Sequence, residues 1–517
     1  MSRWSSVLAY IAVLILISPV STEAKRDPQR KWLSKKPFIT SVEVIGNEFF
    51  SDKKIKGSIR SRENGFWQSL RLRKRHRLKK NSKSADLAAL MYLYKTNGFL
   101  DADIDEEFAV AEDSSAIVRI TVAEGRQYII RKSTTPSELG AFEEKVARRL
   151  RKLKPGMPLD PYAVNRVTFD VKTVYANAGY PYAEVRDSII LYDEMDSADV
   201  VFFIDRGPLT LFGEVFVDSL EFTQSVTFRR ELLMKPGDLY SREKIVESRQ
   251  RVYSTGLASY VDLSLDNPPQ ESQQGNYDVR PDFRLKVRER KPKFAKVRTG
   301  ASQDEAHDLV WDLGLEFGSR NISGKGRGVT FELSSKFLVF SEEWRVLEEK
   351  FAFEYHEPWL FKTRTPLNLM FSVQPGIRSR TQNYRISTID FGARTSREIT
   401  RHMRGRVEIV YEKVNITGIP ADQVEQKKKE EGISVKRKLI FALDRDTRNN
   451  PFLPIRGTVY RLGSEYVGGF LGGDEDFVKL TIDWSRFQNF YGSNIYAWNY
   501  RLGWVVGTAS DPYVPTT

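Results

Sequence analysis

The chain has 517 residues, no cysteine and a formal net charge of +13. That length accommodates several domains, and the lack of cysteine excludes a disulfide framework or any thiolate metal site. The basic balance asks for an anionic neighbour: lipid headgroups, lipopolysaccharide or an acidic partner.

Residues 1–24 read as a secretory signal peptide. Arg3 supplies the positive start, Val7 to Val20 the apolar run, and Thr22-Glu23-Ala24 a small-residue cleavage site. No cysteine follows, which excludes a lipoprotein anchor; a retained signal anchor is the other reading. Export argues against nucleic acid as the anionic partner. No second long apolar run exists, so further membrane insertion must be by strands. Residues 25–37 form a linker.

From Phe38 to about Arg290 a unit of roughly eighty residues occurs three times, over 38–125, 126–208 and 209–292. Each reads as a strand, two helices and two closing strands. Unit one opens on Phe38 to Ile45, turns at Gly46-Asn47, carries a helix from about Ala85 to Tyr94 and closes at Glu124-Gly125. Helix stops recur at Asn97-Gly98, Lys154-Pro155-Gly156 and Lys235-Pro236-Gly237. Tyr94, Tyr175 and Tyr253 precede a glycine in the three units and are expected to pack in the cores at helix ends.

From Lys293 onward, over 293–517, the period becomes two. Val310 to Phe317, Val329 to Ser334, Val478 to Ser485 and Tyr496 to Trp504 alternate large apolar with polar or small residues between turn signals. Two architectures alternate this way. A soluble sandwich hides its apolar face in a core, whereas a membrane barrel turns that face outward, banded with aromatics, and lines a wet lumen with the other. Trp311, Trp484, Trp498 and Trp504 near segment ends favour the barrel.

Strand-helix-helix-strand-strand units with "GN" after the first strand, a "Y-x-x-x-G-Y" helix end and a final "EG" resemble polypeptide-transport-associated (POTRA) repeats. A signal, three such repeats and a barrel resemble the bacterial outer-membrane assembly superfamily, and the repeat count is most similar to the translocation-and-assembly-module (TamA-like) subunit. The stretch with Asp444, Asp446, Arg448, Asn449, Asn450, Pro454 and Gly457 is similar to the superfamily's "D-x-R-x-N … P-x-x-G" signature. The resemblance implies an α+β fold of β-α-α-β-β repeats followed by an antiparallel transmembrane β-barrel. It also implies a bacterial outer-membrane location, with the repeats in the periplasm. The implied function is assembly or translocation of outer-membrane proteins, the repeats capturing client strands by β-augmentation. Implied partners are outer-membrane lipid or lipopolysaccharide, unfolded β-barrel or autotransporter clients and a periplasm-spanning TamB-like protein. A BamA-type insertase, a two-partner secretion pore and a soluble secreted β-rich binding protein are the alternatives.

Two departures from the family pattern stand out. Unit one carries a basic run with Arg71, Arg73, Lys74, Arg75, Arg77, Lys79 and Lys80 instead of a "KPG" stop; it reads as a solvated loop or a docking site for anionic lipid or a partner. About eleven barrel segments are present where the family has about sixteen, and the chain stops before the family's inward-loop signature, so a fragment lacking the end of the barrel is expected.

Catalytic chemistry is absent from the pattern. His76, His307, His356 and His402 are scattered, there is no G-x-S-x-G elbow, and Gly324 to Gly328 reads as a strand-to-strand turn. A non-enzymatic protein without cofactor or metal is expected. By resemblance the gate is the first barrel strand, at Phe294, Lys296, Val297, Arg298 and Gly300, where charge and glycine would weaken the edge. The other reading is an ordinary first strand with basic residues towards the lumen.

Overall fold

A computed structural model describes residues 36–507, apart from 65–75, 80, 112–114, 267–278, 304–308, 339–344, 379–383, 420–430 and 492–493. The predicted signal and most of the basic run lie outside the described residues. Contacts divide the chain into one unit holding the first two repeats and another holding most of the third repeat with the large sheet.

Repeat 1 contains β1 (Ile39–Ile45), α1 (Asp52–Ser58), α2 (Ser82–Lys95), β2 (Asp103–Val110) and β3 (Ala116–Ala123). Repeat 2 contains β4 (Ile129–Thr134), α3 (Glu143–Leu150), α4 (Pro161–Ala176), β5 (Glu184–Tyr192) and β6 (Ser197–Asp205). Repeat 3 contains β7 (Val215–Val217), α5 (Ser225–Arg229), α6 (Arg242–Ser254), β8 (Ala258–Leu265) and β9 (Phe283–Glu289). In each, the last strand lies at the centre, parallel to the first and antiparallel to the second.

The repeat motifs prove to be one closure device. The Tyr94 hydroxyl donates to Glu124 Oε1 at 2.9 Å, and the Glu124 carboxylate accepts the backbone N–H groups of Glu48 and Phe49 at about 3.0 Å. Gly46 sits at φ +84° where a Cβ would overlap the Val122 carbonyl, so only glycine fits. Thus "GN", the helix-end tyrosine and "EG" meet at a single corner. Glu289 repeats the carboxylate part of the device in repeat 3, accepting from the Glu221 and Phe222 amides. Tyr94 and Tyr175 are fully buried as expected, but Tyr253 is 46% exposed. Ser248 and Val252, one turn apart on α6, take the buried positions instead, so the apolar stripe is set one residue earlier.

Eleven strands follow: β10 (Lys293–Gln303), β11 (Leu309–Ile322), β12 (Arg327–Leu338), β13 (Arg345–Glu357), β14 (Leu367–Arg378), β15 (Arg385–Thr400), β16 (Met403–Thr417), β17 (Gly432–Asp446), β18 (Gly457–Val467), β19 (Phe477–Tyr491) and β20 (Asn494–Gly507). They pair in sequence order as one antiparallel meander whose edges are β10 and β20. Cross-strand partners share a face. On one face Phe317, Phe331, Phe353, Phe371, Phe391 and Tyr411 stand in register across six strands. Trp311 and Trp504 lie towards the end of the sheet far from repeat 3, Trp484 and Trp498 towards the near end. That face is exposed, so it is not the hidden face of a sandwich.

The opposite face is ionic. Arg394 and Glu408 form a two-bond pair at 2.9 and 2.8 Å, Lys438 bonds Glu412, and Lys436 bonds Glu475 at 3.0 Å. Glu398, Arg404, Asp444, Arg461, Asp483 and Arg501 follow one another in cross-strand register, alternating in sign across β15 to β20. A polar face of this kind suits a wet interior.

Candidate functional site

Strand edges are the reactive feature of such a fold, because their unpaired N–H and C=O groups can accept another strand. The three repeats treat their edges in related ways. The connection between the helices bonds to the first strand in repeats 1 and 2, and in repeat 3 to Phe212 just ahead of β7. Ile39 N–H reaches the His76 carbonyl at 3.3 Å, and Ile130 exchanges bonds with Met157 and Gly156, both at 2.8 Å. Phe212 exchanges bonds with Asp238 and Gly237, again both at 2.8 Å. On the other side, β2, β5 and β8 make no main-chain hydrogen bond beyond their own sheet among the described residues. Of these, β5 presents the exposed apolar pair Ile190 and Leu191, while β2 presents Asp103, Asp105 and Glu107.

The predicted gate strand is β10, an edge of the large sheet. Lys296, Arg298 and Gly300 lie on its ionic face, where Lys296 Nζ bonds Glu316 at 2.9 Å and Arg298 bonds Glu332 at 2.8 Å. Val297 lies on the apolar face opposite Leu315 and is 73% exposed. Phe294 lies under the Arg320 guanidinium, 4.9 Å from its ring centre.

The signature stretch forms the β17–β18 turn. Asp446 binds the Arg448 guanidinium at 2.6 Å. Asn449 Oδ1 accepts from the Ile455 and Arg456 amides, and Asn450 Oδ1 from Phe452 and Leu453. Gly457 adopts φ +119°, with Thr447 and Arg448 backbone atoms 2.5–2.8 Å from where a Cβ would stand. Pro454 lies within the same turn. Its residues build the turn and converge on no reacting atom.

Repeat 3 is fastened to the sheet mostly by residues outside the sequence-predicted site. Buried Glu231 accepts from Trp359 Nε1 at 2.6 Å and from Arg364 Nε at 3.0 Å. Asn321 donates to the Phe222 carbonyl and the Thr223 hydroxyl. The Gly324 carbonyl accepts from the Gln224 amide and the Thr227 hydroxyl at 2.9 and 2.8 Å. The glycine-rich turn is therefore a strand-to-strand turn, as expected, and also a docking loop. Of the basic run, Arg77 stacks on Phe38 at 3.9 Å and Lys79 is described; Arg71, Arg73, Lys74, Arg75 and Lys80 lie outside the described residues. Among the described residues no group of acidic and histidine side chains could hold a metal ion, and no helix is long and apolar enough to cross a membrane.

Residues 321–517 match the Omp85 superfamily domain, and residues 137–207 match the surface-antigen variable-number repeat, a POTRA domain. The outer membrane protein assembly factor BamA of Nitratidesulfovibrio vulgaris is 22% identical over 479 residues, covering 88% of this chain and 54% of that protein. BamA of Neisseria meningitidis is 24% identical over 298 residues, covering 57% of this chain and 36% of that protein. The chain thus spans about half or less of the length of these relatives. The crystal structure of Haemophilus ducreyi BamA lacking POTRA domains 1–3 aligns over 75% of this chain and 72% of that one, at 15% identity and a TM-score of 0.49. The protein resides in the outer membrane with its repeats on the periplasmic side. Residues 321–517 thus carry the likeness to the Omp85 superfamily domain, and residues 137–207 the likeness to a POTRA repeat.

Proposed function

We propose that this protein is an outer-membrane assembly or translocation factor. Its repeats accept client β-strands at β2, β5 and β8, and its sheet delivers them to the bilayer at the β10 edge. The observation carrying this reading is the one-sided coverage of the repeat sheets. The connection between the helices bonds to the first strand in repeats 1 and 2 and just ahead of it, at Phe212, in repeat 3, while β2, β5 and β8 make no main-chain bond beyond their own sheets among the described residues. Main-chain pairing depends little on client sequence, which suits unfolded β-barrel or autotransporter clients. The names of the curated relatives support the assembly role. Three repeats ahead of the sheet support a TamA-like type with a periplasm-spanning TamB-like partner over a five-repeat BamA type. No residue set for catalysis converges among the described residues, and the role proposed is non-enzymatic.

Photo-crosslinkers at Ile190 and Leu191 test the repeat edge, and Val297→Pro tests β10. Capture of unfolded outer-membrane proteins at both β5 positions and loss of client insertion in the proline variant are expected. Normal insertion by Val297→Pro would sink the gate; crosslinking no stronger than at the covered β4 edge would sink the repeat edge.

A further inference from the structure

The exposed apolar face of the large sheet is not evenly filled. A groove of about 600 Å³ crosses β15 to β20, with Ile399, Phe441, Leu443, Leu462, Leu480 and Trp504 among its walls. Its floor is open because Gly405 and Ser464 stand where their neighbours in register carry large side chains, Gly405 opposite Leu443 and Ser464 opposite Phe441 and Leu480. The volume is in the range, about 300–1,000 Å³, that encloses a small-molecule ligand.

One end of this groove is charged. Arg397, opposite Gly405, lines it. Arg445, opposite Met403 and Tyr460, lies one register step closer to the repeat-3 end of the sheet. Both are exposed, and neither makes an ion pair or side-chain hydrogen bond among the described residues. This contrasts with the opposite face, where arginine after arginine is matched to a carboxylate. Beside Arg445 the rings of Tyr460, Trp484 and Tyr500 stack in a row, with centres 6.4 and 5.4 Å apart. Aromatic rows of this kind mark the headgroup level of a bilayer, and this one lies towards the periplasmic end.

The geometry points to a binding site for one anionic glycerophospholipid of the periplasmic leaflet, its acyl chain in the groove and its phosphate on Arg397 and Arg445. Unmatched guanidinium groups at headgroup depth favour phosphate, to which arginine presents several donors at once. Lipopolysaccharide phosphates belong to the opposite leaflet, at the other end of the strands, so the position of the charge selects the glycerophospholipid. The site needs only the membrane location and is independent of how clients are handled.

Native mass spectrometry of the full chain, released from detergent micelles doped with equal phosphatidylglycerol and phosphatidylcholine, provides the test. One phosphatidylglycerol should be retained at least fivefold over phosphatidylcholine. Arg397→Gln with Arg445→Gln should abolish that preference, and Gly405→Leu should remove the retained lipid. Heat-modifiable mobility on gels verifies that both variants fold. Equal retention of the two lipids, an unchanged preference in the arginine variant, or preferential retention of added lipopolysaccharide would each overturn the assignment.

Discussion

Arg298 on β10 reaches over Gly314 on β11 to bond Glu332 on β12 at 2.8 Å. A Cβ at Gly314 would lie 3.1 Å from the guanidinium, so the glycine makes room for a bond that skips a strand. With Lys296–Glu316 it fastens the edge strand from its polar side. Both pairs are largely open to solvent, so each contributes about 0.2–1 kcal/mol and weakens with salt. Glu316→Gln with Glu332→Gln should therefore speed hydrogen exchange of β10 amides roughly two- to tenfold. Raising the salt concentration in the unmodified protein should move the same amides in the same direction.

The repeat-3 fastening should be costlier to break. Removing Glu231 leaves the Trp359 N–H without its acceptor, while the part-exposed Arg364 guanidinium keeps Glu398 at 3.0 Å. Loss of such a charged hydrogen-bond acceptor costs about 1.5–3 kcal/mol. The Gln224 amide, bonded to the Gly324 carbonyl, reports on docking. In Glu231→Ala its exchange should accelerate roughly ten- to a hundredfold, while repeat 2 amides stay unchanged.

Repeat 1 holds a buried carboxyl that should make it pH-sensitive. Glu106 on β2 is 1% exposed and neither of its oxygens has a hydrogen-bond partner. Burial, reinforced by nearby Asp86, pushes its pKa up to about 8. The folded form thus holds a proton that the unfolded chain, with a pKa near 4.5, releases earlier. Stability from this group is complete below about pH 4.5 and is lost as pH rises through about 8, a total on the order of 4 kcal/mol. Glu106→Gln should flatten that dependence, read as exchange protection of β3 amides corrected for intrinsic rates.

Gly457→Ala should impair the signature turn. Its positive φ and the crowding by Thr447 and Arg448 together cost roughly 1–3 kcal/mol. The variant should give a smaller heat-modifiable fraction after refolding into detergent, whereas Asn450→Ala, losing two exposed bonds, should fall less far.

Alternation in the sequence located both faces of the large sheet and the tryptophans at its two ends, because a period of two fixes which residues share a side. It did not reveal that six aromatic residues from Phe317 to Tyr411 form one row, or that Glu398 to Arg501 alternate in sign. Those patterns run across strands, and register is set by pairing. The helix-end motif placed Tyr94 and Tyr175 correctly, but in α6 the stripe ran through Val252 and left Tyr253 outside. The basic side chains of β10 were legible as a feature; their partners Glu316 and Glu332 were not, since those bonds depend on neighbouring strands. Glu231 and Asn321 gave no local signal of docking, as that role is defined in each by a partner about a hundred residues away.

The contact at or just ahead of the first strand of each repeat limits its valency. A sheet open on both sides is a link, able to join strand after strand into a filament, whereas a sheet open on one side is a terminus. Each repeat can take one guest strand and then has no adjoining place for a second on its first-strand side. Two copies meeting through such edges would close as a pair and stop. Under the proposed role, a repeat arranged in this way receives a client strand without itself joining two strands into a longer array.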